Sequence, residues 1–103
     1  MIVTTIDNVD GKEQEFLGLV MGNTVRARHI GSDIGAALKN VVGGELKGYS
    51  MMLAQARQEA IDRMIKEAEH LGADAVVNVR FTTSQTTAAA AEILTYGTAV
   101  KFV

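Results

Sequence analysis

Gly43 to Thr83 reads GGELKGYSMMLAQARQEAIDRMIKEAEHLGADAVVNVRFTT, and this stretch decides the fold. It holds a glycine-flanked loop, a long amphipathic helix, a glycine stop and an apolar strand. Leu53, Ala56, Ala60, Ile61, Met64, Ile65, Ala68 and Leu71 recur at spacings of three and four, the period of one buried helix face. Ser50 is placed to cap this helix, which the spacing carries to Leu71. Glu59 with Arg63, Asp62 with Lys66 and Arg63 with Glu67 stand one turn apart on the wet side, pairs worth about 0.2 to 0.5 kcal/mol each. His70 falls in the last turn, where a cation suits the helix dipole. Gly72 fits the left-handed position beyond it, with Ala73 closing onto Ala68 in a Schellman ending. Asp74 to Thr83 then alternates as a strand. Ala75, Val77, Val79 and Phe81 share one face, and Val76, Asn78, Arg80 and Thr82 the other.

Ahead of this stretch, Ile2 to Ile6 reads as a short strand, and Asp7 to Lys12 as a turn built around Asp10-Gly11. A second strand runs from Glu15 to Arg28, with Leu17, Leu19 and Met21 on one face and Gly18, Val20 and Gly22 on a nearly flat other. Ser32 or Asp33 caps a short helix with Ile34, Leu38, Val41 and Val42 on one side, ended by Gly43-Gly44. Beyond the quoted stretch, Ser84 to Ala91 is a Thr/Ala tract whose composition fits either a strand extension or a loose turn. Glu92 to Val103 is a closing strand. Leu94, Tyr96, Val100 and Phe102 share one face, and Thr95, Gly97, Ala99 and Lys101 make the other thin. The predicted order is ββααββ: one α+β domain over 1–103, a mostly antiparallel sheet with a long and a short helix on one face. The other face, with its Gly and Ala positions, is expected to meet another subunit.

Composition points the same way. A chain of 103 residues makes one small domain with a high surface-to-volume ratio, yet 48% of its residues are apolar and only 21% charged. That is more apolar surface than a lone domain covers, so a homo-oligomer is expected. Net charge is -2, without the basic stripe of a nucleic-acid binder. There is no Cys, which excludes disulfides, thiolate metal sites and Cys nucleophiles. No apolar run reaches the roughly 18 residues that span a bilayer, and MIVTTIDNVDGKE has no basic segment before an apolar one. The expected location is the cytoplasm, with neither membrane nor nucleic acid as partner.

Chemistry-bearing residues are sparse. His29 and His70 lie far apart and outside any HxxxH pattern. Met51, Met52 and Met64 have helical spacing, which is the mark of core filling. Glu45, Asp62 or Glu69 can form a hard-metal carboxylate site between subunits, but nothing in their spacing demands it, so no metal ligand is assigned. Ser50 lacks the GxSxG turn of an activated nucleophile, and no catalytic residue is assigned either. The loop before the long helix has glycines for close backbone approach, unpaired N–H groups at the helix start, and Lys47 and Tyr49. Arg80 and Tyr96 lie on different strands and can meet in a pocket. Lys47, Tyr49, Arg80 and Tyr96 are therefore the candidate ligand-binding residues; the ligand, and any cofactor, is not legible.

The opening MIVTTI, the central VVGGELKGYS, the helix core ARxEAxxRMxxEA and the junction LGADAVVNVRF together resemble the YbjQ family, which carries a heavy-metal-binding label. The resemblance covers nearly the whole chain. It implies an α+β fold of the dodecin-like kind and a ring-shaped homopentamer, in a family of bacteria and archaea. The expected function is a small homo-oligomeric binding protein, not an enzyme, that holds a ligand or ion at subunit interfaces. Heavy-metal binding is the alternative, and an enzyme with a site between subunits a third.

Overall fold

A computed structural model describes residues 1–27, 41–42, 45–87 and 90–103. Its elements are β1 (Ile2–Val3), β2 (Gln14–Ala27), β3 (Val41–Val42), β4 (Glu45–Leu46), α1 (Lys47–His70), β5 (Ala75–Thr87) and β6 (Ala90–Phe102). The main sheet has the order β1-β5-β6-β2, with β1 parallel to β5 and the other pairs antiparallel. The class is α+β, with a mixed sheet and one helix among the described residues.

The short helix expected before Gly43 falls mostly on residues 28–40, outside those described. Its supposed end is a strand instead: Val41 pairs with Leu46 and Val42 with Glu45. Two β-branched residues in a row favour extended pairing over a helical turn. The long helix starts at Lys47, so Ser50 sits inside its first turn and does not cap it. Its far end is as expected. Ala73 N–H donates to Ala68 O at 3.1 Å, Gly72 N–H to Glu69 O at 3.0 Å, and Gly72 takes φ +76°. The Thr/Ala tract extends both strands, carrying β5 to Thr87 and starting β6 at Ala90.

The buried stripe of α1 is Ala56, Ala60, Met64 and Ala68, one residue per turn, all fully buried. It lies on β2 and β6 and covers their thin face, contrary to the expectation that this face would be the outer one. Val20, Gly22 and Thr24 of β2 and Ile93, Thr95, Gly97 and Ala99 of β6 are buried on this side. Alanine on the helix needs small partners on the sheet, because only there do the backbones approach closely. A side-chain carbon on Gly22 would stand 2.1 Å from the Ala60 carbonyl oxygen. Buried hydroxyls are satisfied: Thr24 donates to Ala56 O at 3.0 Å and Thr95 to Arg80 O at 3.1 Å. Glu59 and Arg63 reach off the helix to β2 and do not pair along it. Glu59 binds Arg26, and the Arg63 guanidinium donates to Asn23 O.

Among the described residues the sheet has three register shifts, one of them between Gln85 and Thr87, and the other two change the faces read from the sequence. At Asn78, φ is 55° and the register shifts between Val77 and Arg80. Val76 and Val79 therefore both pack into the helix-side core with Val20, Met64, Ala68 and Ala99, whereas strict alternation puts them on opposite faces. In β2 the register shifts between Phe16 and Gly18, which turns Leu17 toward that core and away from Leu19 and Met21. On the sheet's second face, Ala75, Val77 and Val100 form a smaller core with Val9 and Phe102. The segment between β1 and β2 folds back to cover this end.

Candidate functional site

The segment covers only the end of the second face nearest the start of β5. Phe16 (72% exposed) stands open beside that end, and Leu19 (59%), Met21 (43%) and Val25 (54%) of β2 and Tyr96 (38%) of β6 stand open beyond it. The pairings Met21 with Tyr96 and Leu19 with Thr98 put these strands' side chains on one surface. Asn23 and Glu92 lie toward its far end, the Asn23 amide donating to the Glu92 carboxylate at 3.2 Å.

Arg80 joins this surface because of the bulge at Asn78. One extra residue in β5 sets Arg80 directly across from Tyr96. Its guanidinium donates to Val79 O at 2.9 Å and to Thr5 O at 3.2 Å, which fixes it between β5 and the segment that follows β1. The backbones of a cationic and a phenolic residue are thus paired at the margin of an apolar stripe, with the guanidinium turned toward the β1 side of β5, away from Tyr96. Strands and register bring these two predicted residues together. They do not bring in the other two. Lys47 and Tyr49 belong to the first turn of α1, in the layer on the opposite side of the sheet.

A shallow cavity of about 250 Å³ lies on the same face, lined by Asp7, Gln14, Phe16, Val77, Asn78, Thr98 and Val100. The Gln14 amide is engaged inside it, accepting from Val9 N–H at 2.8 Å and donating to Asp7 O at 3.3 Å. A larger hollow lies within the turn Ile6 to Glu13. Neither lining includes a Ser or His to make a nucleophile–base pair.

The described residues do not fit a heavy-metal centre within one chain. The sequence has no Cys and two His. Among the described residues no three of His, Cys, Asp and Glu gather in a cluster. Met64 is fully buried in the core, and His70 is exposed at the end of α1. Soft metals call for thiolate first, then imidazole, and the described residues bring no such donors together in one place. Among the described residues no helix is long and apolar enough to cross a membrane.

Sequence reasoning missed Asn78 and the open β2 side chains. The signal for the first was present: Asn is several-fold enriched at positive φ, and this one interrupts a run of valines.

Comparison with known proteins gives the family. The YbjQ family model, described as "Putative heavy-metal-binding", matches residues 1–103. A UPF0145 protein of Archaeoglobus fulgidus is 65% identical over 102 residues, covering 98% of this chain and 94% of its own length. One from Methanoculleus marisnigri is 64% identical over 104 residues, covering 100% and 97%, and one from Thermosipho africanus 58% identical over 102, covering 98% and 94%. Among solved structures, a protein of unknown function in the DUF74 family from Pediococcus pentosaceus superposes with TM-score 0.71. It is 17% identical, over 100% of this chain and 98% of the other, a likeness of fold alone. With a family model matched from end to end and relatives above half identity, the chain belongs to the YbjQ family, whose members here carry the UPF0145 name.

Proposed function

We propose that this chain works as a cytoplasmic, non-enzymatic homo-oligomer, a ring of five copies that holds a small molecule or ion where copies meet. The observation behind this reading is the stripe of Phe16, Leu19, Met21, Val25 and Tyr96 on the sheet face opposite α1. Scattered apolar side chains are ordinary on a surface, but a contiguous stripe on one sheet face is what association buries. The number five comes from the family resemblance. The cysteine-free sequence needs no oxidising compartment. Arg80 and Tyr96 stand at the edge of the stripe. A second copy closing over it would leave a cation and a hydroxyl in a partly dry cleft, which suits an anionic or polar small molecule. Lys47 and Tyr49 contribute only where a neighbour brings the start of α1 to that cleft.

Native mass spectrometry of protein isolated without tags from its host tests this. The reading expects a closed oligomer with retained small-molecule mass, and loss of that mass in Arg80→Ala with assembly intact. A monomer with no retained mass overturns it.

Heavy-metal binding is the second reading, favoured by the family's description. It requires donors from more than one copy. Calorimetric titration with zinc, copper, nickel and cadmium tests it, with His29→Ala and His70→Ala as controls. Heat that both variants abolish supports it, and no heat in the wild type removes it.

A further inference from the structure

β5 is guarded at its start and, among the described residues, open at its far half. The chain from β1 to Ile6 pairs with the start: Thr4 N–H donates to Val76 O, Val79 N–H to Thr4 O, and Asn78 N–H to Ile6 O. Past Val79, the outer side of β5 has no neighbouring strand among the described residues, while its inner side stays paired with β6 as far as Thr87. Main-chain groups alternate sides along a strand. Val79 points its N–H outward, so Phe81, Thr83 and Gln85 do the same.

The make-up of this edge is unusual for one that meets water. Proteins blunt exposed edges with charge, Lys or Pro. Phe81, Thr82, Thr83, Ser84 and Gln85 carry none of these and favour extended structure. The opposite edge is treated differently. Along β2, Arg63 from α1 donates to the Asn23 carbonyl, and Arg26 nearby is held by Glu59. On β2 the edge is met by the protein's own helix, whereas on β5 Arg80 caps the Val79 carbonyl and, from Phe81 to Gln85, no strand stands alongside among the described residues.

We propose that the outer edge of β5 from Phe81 to Gln85 is an interaction surface where the sheet continues into a strand of a second copy of this chain. Two features favour a copy as the occupant. Phe81 to Gln85 are uncharged, so the segment itself offers nothing to select a charged foreign peptide and sets up no repulsion between copies. It also adjoins the exposed stripe, since Arg80 and Thr82 lie across from Tyr96 and Leu94, so a copy pairing here also reaches the apolar face. Phe81, 46% exposed on the helix side, gives that copy an apolar anchor. This inference rests on the oligomer reading above and adds the main-chain groups that make the contact.

Amide hydrogen exchange on the full-length wild-type protein, with its mass followed in parallel by native mass spectrometry, tests the proposal without any variant. In the oligomer the Phe81, Thr83 and Gln85 amides are expected to exchange about a hundredfold or more slower than free peptide. Thr83→Pro is the companion variant, because a proline whose N–H side faces outward spares the internal ladder. It is expected to keep its circular dichroism and lose assembly. Free exchange at these three amides in an intact oligomer overturns the edge contact while the oligomer reading stands. A wild-type monomer removes both.

Discussion

Gly22 of β2 lies directly against the backbone of Ala60 in α1: a side-chain carbon there would stand 2.1 Å from the Ala60 carbonyl oxygen and 2.6 Å from the Met64 nitrogen. Both obstacles are main chain, so neither can swing aside. Gly22→Ala is expected to cost about 2 kcal/mol or more, the upper part of the range for overpacking. Urea unfolding checks this, and a loss below about 0.5 kcal/mol would mean that helix and sheet are not in such contact.

Asn78 sets the face on which Arg80 appears, through a backbone at φ 55°. A β-branched residue is strained there and glycine is not. Asn78→Val is expected to lose about 1 to 2 kcal/mol, and Asn78→Gly to stay close to wild type. Equal stability of the two variants in thermal melts would contradict the bulge.

Gly72 closes the Schellman ending at φ +76°. Nothing crowds its position, so the strain of Gly72→Ala is conformational alone. A loss of about 1 kcal/mol is expected in chemical denaturation. No loss would mean the helix ends otherwise.

Arg63 is exposed and covers one edge carbonyl of β2. Arg63→Ala is expected to change folding stability by less than about 1 kcal/mol and yet to produce larger species on gel filtration, because it bares a second edge. Unchanged elution would show that this side chain does not guard the edge.

Local features of the fold were legible in the sequence, and relations between distant segments were not. The Ala56, Ala60, Met64, Ala68 stripe and the Gly72 stop each depend on residues within a turn or two and formed as read, but Leu71, read as the last member of the buried face, lies past the helix end and is 46% exposed. The faces of β5 misread because alternation assumes no extra residue, and Asn78 looks like any polar strand position until its register against β6 is known. The covered sheet face misread for a related reason. Gly22 and Gly97 look like an empty surface in their own strands, and only the alanines of α1, far along the chain, make that flatness useful. Glu59 and Arg63 have partners one turn away in sequence, but strand β2 offered Arg26 and the Asn23 carbonyl closer at hand. As for the site, Arg80 and Tyr96 were visible as two strand residues of useful chemistry. That they are cross-strand partners follows from a bulge, and that Lys47 and Tyr49 belong to the start of the helix follows from where it begins.

The exposed stripe predicts its own disruption. Met21→Glu and Leu19→Glu each place a carboxylate where an apolar contact is expected. Neither residue is buried in the chain itself. Both variants are therefore expected to fold and to fall apart into single chains, as read by sedimentation velocity. Assembly of both at wild-type size would move the contact elsewhere.

Multi-angle light scattering of the wild-type protein at micromolar concentration tests the central claim most directly. The account predicts a single closed species well above the 11.0 kDa of one chain, a pentamer on the present reading. A stable species at the mass of one chain would contradict it.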